Sequence, residues 1–209
     1  MLVDITVTTA PDGLLTVVER VVTDAPAVQH LAERIPVTDD EIRRYSITDV
    51  QLAGAATADG TTISFTGPAT LKYTVDGAVA AGGAVRFQVT GGWEQDLARV
   101  TATFAAPGVS TADCYAGRVG SARQCTFSEL RGGGVRAEQE GLARGDRIDL
   151  AVQTGPLPVN ARFDSSSPFA VFLPGLPIAA LVFPGAGWLL RRRREQTMAE
   201  RRAAVRSGR

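Results

Sequence analysis

Ala69-Thr70-Leu71-Lys72-Tyr73-Thr74-Val75-Asp76 (ATLKYTVD) decides the fold. In an extended chain Ala69, Leu71, Tyr73 and Val75 lie on one face, and Thr70, Lys72, Thr74 and Asp76 on the other. A period of two buries one face of a sheet and wets the other. The same alternation recurs on both sides of this stretch. Val85, Phe87 and Val89 are expected inward, with Arg86, Gln88 and Thr90 outward. Ala98, Val100, Ala102 and Phe104 alternate with Arg99, Thr101 and Thr103. Ile148, Leu150 and Val152 alternate with Arg147 and Asp149. Turn signals separate these runs: Pro11-Asp12-Gly13, Asp59-Gly60, Asp76-Gly77, Gly91-Gly92 and Gly145-Asp146. Residues 1–163 therefore read as an all-β domain, an antiparallel two-sheet β-sandwich rather than a set of βαβ units. Its first hairpin is expected at Leu2–Thr8 and Leu14–Thr23, and a further strand near Ser46–Leu52.

The least β-like part precedes Ser46. Thr38-Asp39-Asp40-Glu41 fits a helix capping box, which predicts one or two helical turns through Arg44. Calcium is a poor alternative, because consecutive acids lack the spaced-oxygen loop of a cation cage. Residues 154–167 (TGPLPVNARFDSSS) read as a linker, with 164–167 as its flexible end.

The linker leads into an uncharged apolar run, Pro168–Leu190, which stops at Arg191-Arg192-Arg193-Arg194. As a helix this run would extend about 34 Å, enough for a hydrocarbon core of roughly 30 Å. Pro174, Pro177 and Pro184 would kink it, and membrane helices tolerate proline. The expectation is a single-pass cell-membrane protein, with transmembrane helix 168–190, the N-terminal domain outside and a basic cytoplasmic tail over 191–209. Overall neutrality hides the division: residues 1–190 carry a net charge of −6 and residues 191–209 a net of +6. The arginines are expected to set orientation and to meet anionic lipid headgroups. A nucleic-acid tail is the rival reading, set aside because no aromatic interleaves the arginines. The tail is also predicted to prolong the helix to about Val205. The opening MLVDITVTTAPDG is not a signal peptide, so a leader upstream of Met1 is expected.

The cysteines, Cys114 and Cys125, bracket the loop CYAGRVGSARQC. Outside the cytoplasm such a pair reads as one disulfide, contributing about 3 kcal/mol through loop closure. With His30 the sole histidine, the four ligands of a zinc site are missing, and the spacing is not that of a CxxC redox pair. His30 has no GxSxG or HExxH context and reads as an ordinary surface or half-buried side chain. Gly132-Gly133-Gly134 lacks the GxxxxGK[ST] of a phosphate loop and reads as a turn into a strand at Val135–Glu140. Trp93 is either an exposed ligand-binding aromatic or a plug at the end of the sandwich. No catalytic, metal or cofactor motif is present. The candidate partner-contact residues are Trp93 and, in the cysteine loop, Tyr115, Arg118 and Arg123.

The order of features resembles the N-terminal domain of a bacterial family of predicted membrane proteins of unknown function, the YciQ-like group. The residues that carry the likeness are Asp12–Arg20 (DGLLTVVER), Glu33–Pro36 (ERIP), Gln88–Trp93 (QVTGGW), Cys114–Gly117 with Gly120, Ser121 and Cys125, and Gly141–Asp146 (GLARGD). The resemblance implies an extracytoplasmic β domain on a membrane anchor and no established activity. The resulting expectation is a binding or structural module that meets lipid and a protein partner. Two alternatives stand beside it. One is an envelope-polymer enzyme using dispersed carboxylates such as Asp39, Glu94 or Asp96. The other is a soluble cytosolic β protein with two free thiols.

Overall fold

The Pro11-Asp12-Gly13 turn folds the first two strands together. Asp12 Oδ1 accepts the Leu14 N–H at 3.1 Å, and Gly13 takes a φ of +85° that favours glycine. The structure, a computed structural model, describes residues 1–36 and 41–165. The expected transmembrane helix, the basic tail and residues Thr38–Asp40 of the capping box lie outside the described residues. Among the described residues no helix is long and apolar enough to cross a membrane.

The strands in chain order are β1 (Leu2–Thr9), β2 (Leu15–Val22), β3 (Ala27–His30), β4 (Arg34–Pro36), β5 (Glu41–Arg44), β6 (Ser46–Asp59), β7 (Thr62–Asp76), β8 (Ala84–Thr90), β9 (Leu97–Ala105), β10 (Thr111–Gly117), β11 (Phe127–Arg131), β12 (Gly134–Leu142), β13 (Arg147–Gln153) and β14 (Arg162–Ser165). The described residues are all-β, as the period-two runs predict. The large sheet runs β11-β12-β9-β1-β2-β7-β3, with β6 on the free edge of β7. Three strands, β10-β13-β8, form a second sheet, and β14-β5-β4 a third.

Two features depart from a purely antiparallel two-sheet arrangement. First, β1 and β9 pair in parallel, Leu2 with Arg99 through Thr8 with Ala105. Nothing in either strand's pattern encodes direction, so this long-range pairing is invisible to periodicity. Second, Glu41–Arg44 is not helical: it is a strand held between β4 and β14. Four residues close too few hydrogen bonds to nucleate a helix, and ladder pairing on both sides outweighs a local cap. Residues Arg162–Ser165, expected in the linker, form that flanking strand. Asp164 fixes them through Arg44 Nε at 2.6 Å and Arg34 Nη2 at 3.1 Å, and Arg162 Nη2 reaches Asp76 at 2.7 Å.

One core joins the large sheet to the second sheet. Ile5, Val17, Leu71, Val75 and Phe104 from the first pack in the same cluster as Val85, Phe87, Leu150 and Val152 from the other. Alternation holds along β7, where Ile63, Phe65, Leu71, Tyr73 and Val75 are all buried. It fails at Ala98, which is exposed while Leu97 turns inward beside Leu142. The break falls opposite Gly141, whose φ of +61° switches the facing strand from one side to the other. It also fails at Arg147, expected outward yet buried, because Pro36 and the third sheet cover that face of β13.

Gly92 fixes the junction that leads into Trp93. Its φ is +70°, its carbonyl accepts the His30 N–H at 2.9 Å, and a Cβ placed there would run into the His30 carbonyl. Gly92→Ala is expected to destabilise the domain by about 1–3 kcal/mol through backbone strain, read by chemical denaturation. An unchanged midpoint would contradict that close approach.

Candidate functional site

A concavity of about 290 Å³ lies between the second and third sheets and the cysteine loop. From the third sheet and the residues beside it come Ile35, Pro36, Arg43 and Tyr45. From β8 and β13 come Arg86, Phe87, Arg147, Asp149 and Leu150, while Tyr115 and Gly120–Ala122 close the loop side. Arg43 sits here because β5 alternates: Ile42 and Arg44 leave the interior while Arg43 enters it, 3 % exposed. Its Nη1 donates to the Arg86 carbonyl at 2.6 Å and to the Ala78 carbonyl at 3.2 Å, and its guanidinium lies 4.8 Å from the Phe163 ring centre. Tyr45 donates to the same Arg86 carbonyl at 2.9 Å, and burial pushes its phenol up to about 12.

Arg147 is 8 % exposed. Its Nη2 donates to the Pro36 carbonyl at 3.0 Å, and its Nε lies 2.6 Å from Asp149 Oδ2. That contact is an ion pair rather than a hydrogen bond, since the Nε–H has no well-directed acceptor. Burial raises the Asp149 carboxyl above its ordinary range, although Arg147 and Arg86 pull it down. The cleft thus carries three guanidinium groups against one carboxylate among the described residues.

The cysteine loop is built where the sequence places it. Cys114 and Cys125 are paired with their Cα atoms 5.4 Å apart. Gly117, with φ +125°, starts the turn, and Ser121 Oγ ties it by donating to the Ala116 carbonyl at 2.9 Å. Tyr115 lines the cleft, whereas Arg118 and Arg123 are exposed on the loop. Trp93 is not an exposed contact. It is 2 % exposed, stacks on Phe65 at 5.4 Å and donates its indole N–H to Thr90 Oγ1 at 2.8 Å. The Gly91-Gly92 turn aims the side chain into the core, where an amphipathic ring with a satisfied N–H packs best.

The dispersed carboxylates are used elsewhere. Glu94 meets His30 Nε2 at 2.9 Å on the surface, a hydrogen bond that holds its carboxyl below the usual range. Asp96 Oδ1 accepts the Arg144 N–H at 2.7 Å. Neither lines the cleft, where glycoside hydrolysis would need two facing carboxylates. Asp39 lies outside the described residues. Among the described residues no group of three metal-ligating side chains gathers.

A second polar cluster has no sequence motif. Glu19 is buried on β2, where it receives Tyr73 Oη–H at 2.8 Å and Gln29 Nε2–H at 3.1 Å. Burial pushes its carboxyl up to about 7, against the pull of those two donors. Its signal in the sequence is position alone: Glu19 follows Leu15 and Val17 on the inward face. The chain matches no protein-family profile and no curated protein.

Proposed function

We propose that this chain is a membrane-tethered binding module of the cell envelope. In this reading the described β domain is a sandwich-like body held outside a membrane by the apolar run 168–190, in a single pass. Arg191–Arg194 then set its orientation and lie against anionic headgroups. The observation that carries the binding reading is the cleft itself, walled on one side by a disulfide-closed loop that presents Tyr115, with Arg118 and Arg123 exposed beside it. Loops fixed by a rigid scaffold are where such modules hold their partners. The resemblance to the YciQ-like group supports the compartment and adds no activity.

The test is made on the full chain in its native membranes. Alkylation before and after reduction is expected to find no free thiol and then two. A reporter fused to the C-terminus is expected in the cytoplasm, and neutral replacement of Arg191–Arg194 should lower or invert that orientation. Two thiols reactive without reductant, with recovery in the soluble fraction, would contradict the reading. A cytoplasmic, equally abundant reporter after the replacement would remove the arginines' role.

A further inference from the structure

We propose that the cleft beneath the cysteine loop binds a ligand through a carboxylate attached to an apolar body. The inference deepens the binding-module reading and rests on it.

Its first ground is charge. Arg43 and Arg147 are 3 % and 8 % exposed, and Arg86 lines the same cleft from an exposed position. Asp149 is the one carboxylate lining the cleft among the described residues. Taking a guanidinium out of water is costly unless its charge is met, and here two are withdrawn against one carboxylate among the described residues. The carbonyls of Pro36, Ala78 and Arg86 satisfy some N–H groups, but they do not neutralise charge. Arg43 Nε is buried without a hydrogen-bond partner among the described residues, and Arg147 Nε faces only the poorly directed Asp149 carboxylate at 2.6 Å. An oxyanion supplies what is missing, and a planar carboxylate matches the guanidinium fork.

The second ground is shape. Around the charged groups lie Ile35, Tyr45, Phe87, Tyr115 and Leu150, so the cleft is apolar where the head group is not. A volume of about 290 Å³ sits near the lower end of ligand sites. It suits one ring or one side chain behind the carboxylate and is too apolar for a bare inorganic anion. The same chemistry is presented by a free aromatic acid and by the C-terminal residue of a peptide.

The experiment uses the full chain in detergent micelles with ¹⁵N-labelled arginine, following the Arg Nε–H resonances. Three probes are titrated: benzoate, acetyl-Gly-Gly-Phe with a free carboxylate, and the same peptide as its amide. The expected result is saturable shifts of the Arg43 and Arg147 signals with the carboxylates, and binding of the amide weaker by about tenfold or more. A free acid is the source if benzoate binds as well as the peptide; a chain end is the source if the peptide binds about tenfold tighter. Arg147→Gln should abolish binding, but it leaves Asp149 buried and risks the fold. Two surface variants guard against that: Arg86→Gln should weaken carboxylate binding several-fold, and Ala122→Trp should block the mouth. Equal affinity for the amide, or undiminished binding in Ala122→Trp, overturns the proposal. So does the absence of any shift. An amide that binds equally well leaves the binding module standing without its anion, whereas no binding by any probe removes the cleft as a small-ligand site.

Discussion

Trp93→Ala is expected to cost about 3–5 kcal/mol of folding stability, the range for emptying a large buried aromatic site. Trp93 is 2 % exposed, so the loss is a cavity rather than a lost surface contact. The truncation removes the stack on Phe65 and leaves Thr90 Oγ1 without its donor. Backbone bonds should survive it: the Trp93 carbonyl still accepts the Gly145 N–H at 3.1 Å, and the bridge to Gln29 is main chain. Trp93→Phe keeps most of the ring packing and is expected to lose clearly less. Denaturant unfolding followed by circular dichroism measures both. A loss below about 1 kcal/mol in the alanine variant would mean that the ring is not part of the core.

Glu19 is expected to make stability fall as pH rises. Its carboxyl is about 7 when folded against an ordinary 4.5, so the folded state holds the proton more tightly than the unfolded chain. The penalty is absent below about pH 4.5, grows between 4.5 and 7 and is complete above 7, at about 3 kcal/mol. Asp149, also raised by burial, adds a slope of the same sign, and the lowered, exposed Glu94 an opposite one. The clean readout is therefore the difference between the native chain and Glu19→Gln. The carboxamide keeps the shape and still accepts from Tyr73, and with the Gln29 amide turned over the variant's NH2 donates to Gln29 Oε1, which has no partner among the described residues. Glu19→Gln should be more stable than the native chain at pH 8 and should lose that advantage by pH 4. A variant less stable at pH 8, or one with the native pH slope, would show that Glu19 does not titrate from its buried site.

The strands were legible because their burial is one-sided. Leu71, Tyr73 and Val75 could be assigned to a core face from spacing alone, and so could Val85, Phe87 and Val89. Turn residues located the first hairpin and the turn before β12 for the same local reason. What spacing does not carry is partnership. The parallel pairing of β1 with β9 and the capture of Glu41–Arg44 by β14 join segments far apart in sequence. Arg147 illustrates the consequence: alternation turns it away from the main core, and only the third sheet makes that side an interior. The cleft was half legible. Its disulfide loop announced itself through the cysteines and glycines, and Tyr115 was within reach of the sequence. Arg43, Arg86, Arg147 and Asp149 converge from separate strands and have no shared motif. Glu19 was hidden by its ordinary setting, a charged residue in a strand whose neighbours already alternate.

The binding module would meet its partner on the face that carries the cleft and the cysteine loop. Site-specific photo-crosslinking on the full chain in native membranes tests this most directly. One photoreactive residue replaces Ala122, exposed at the cleft, and another replaces Val22, 54 % exposed on β2 of the large sheet. A discrete adduct is expected from position 122, weakened by Arg86→Gln, and none from position 22. Adducts from position 22 alone, or none from position 122, would contradict it.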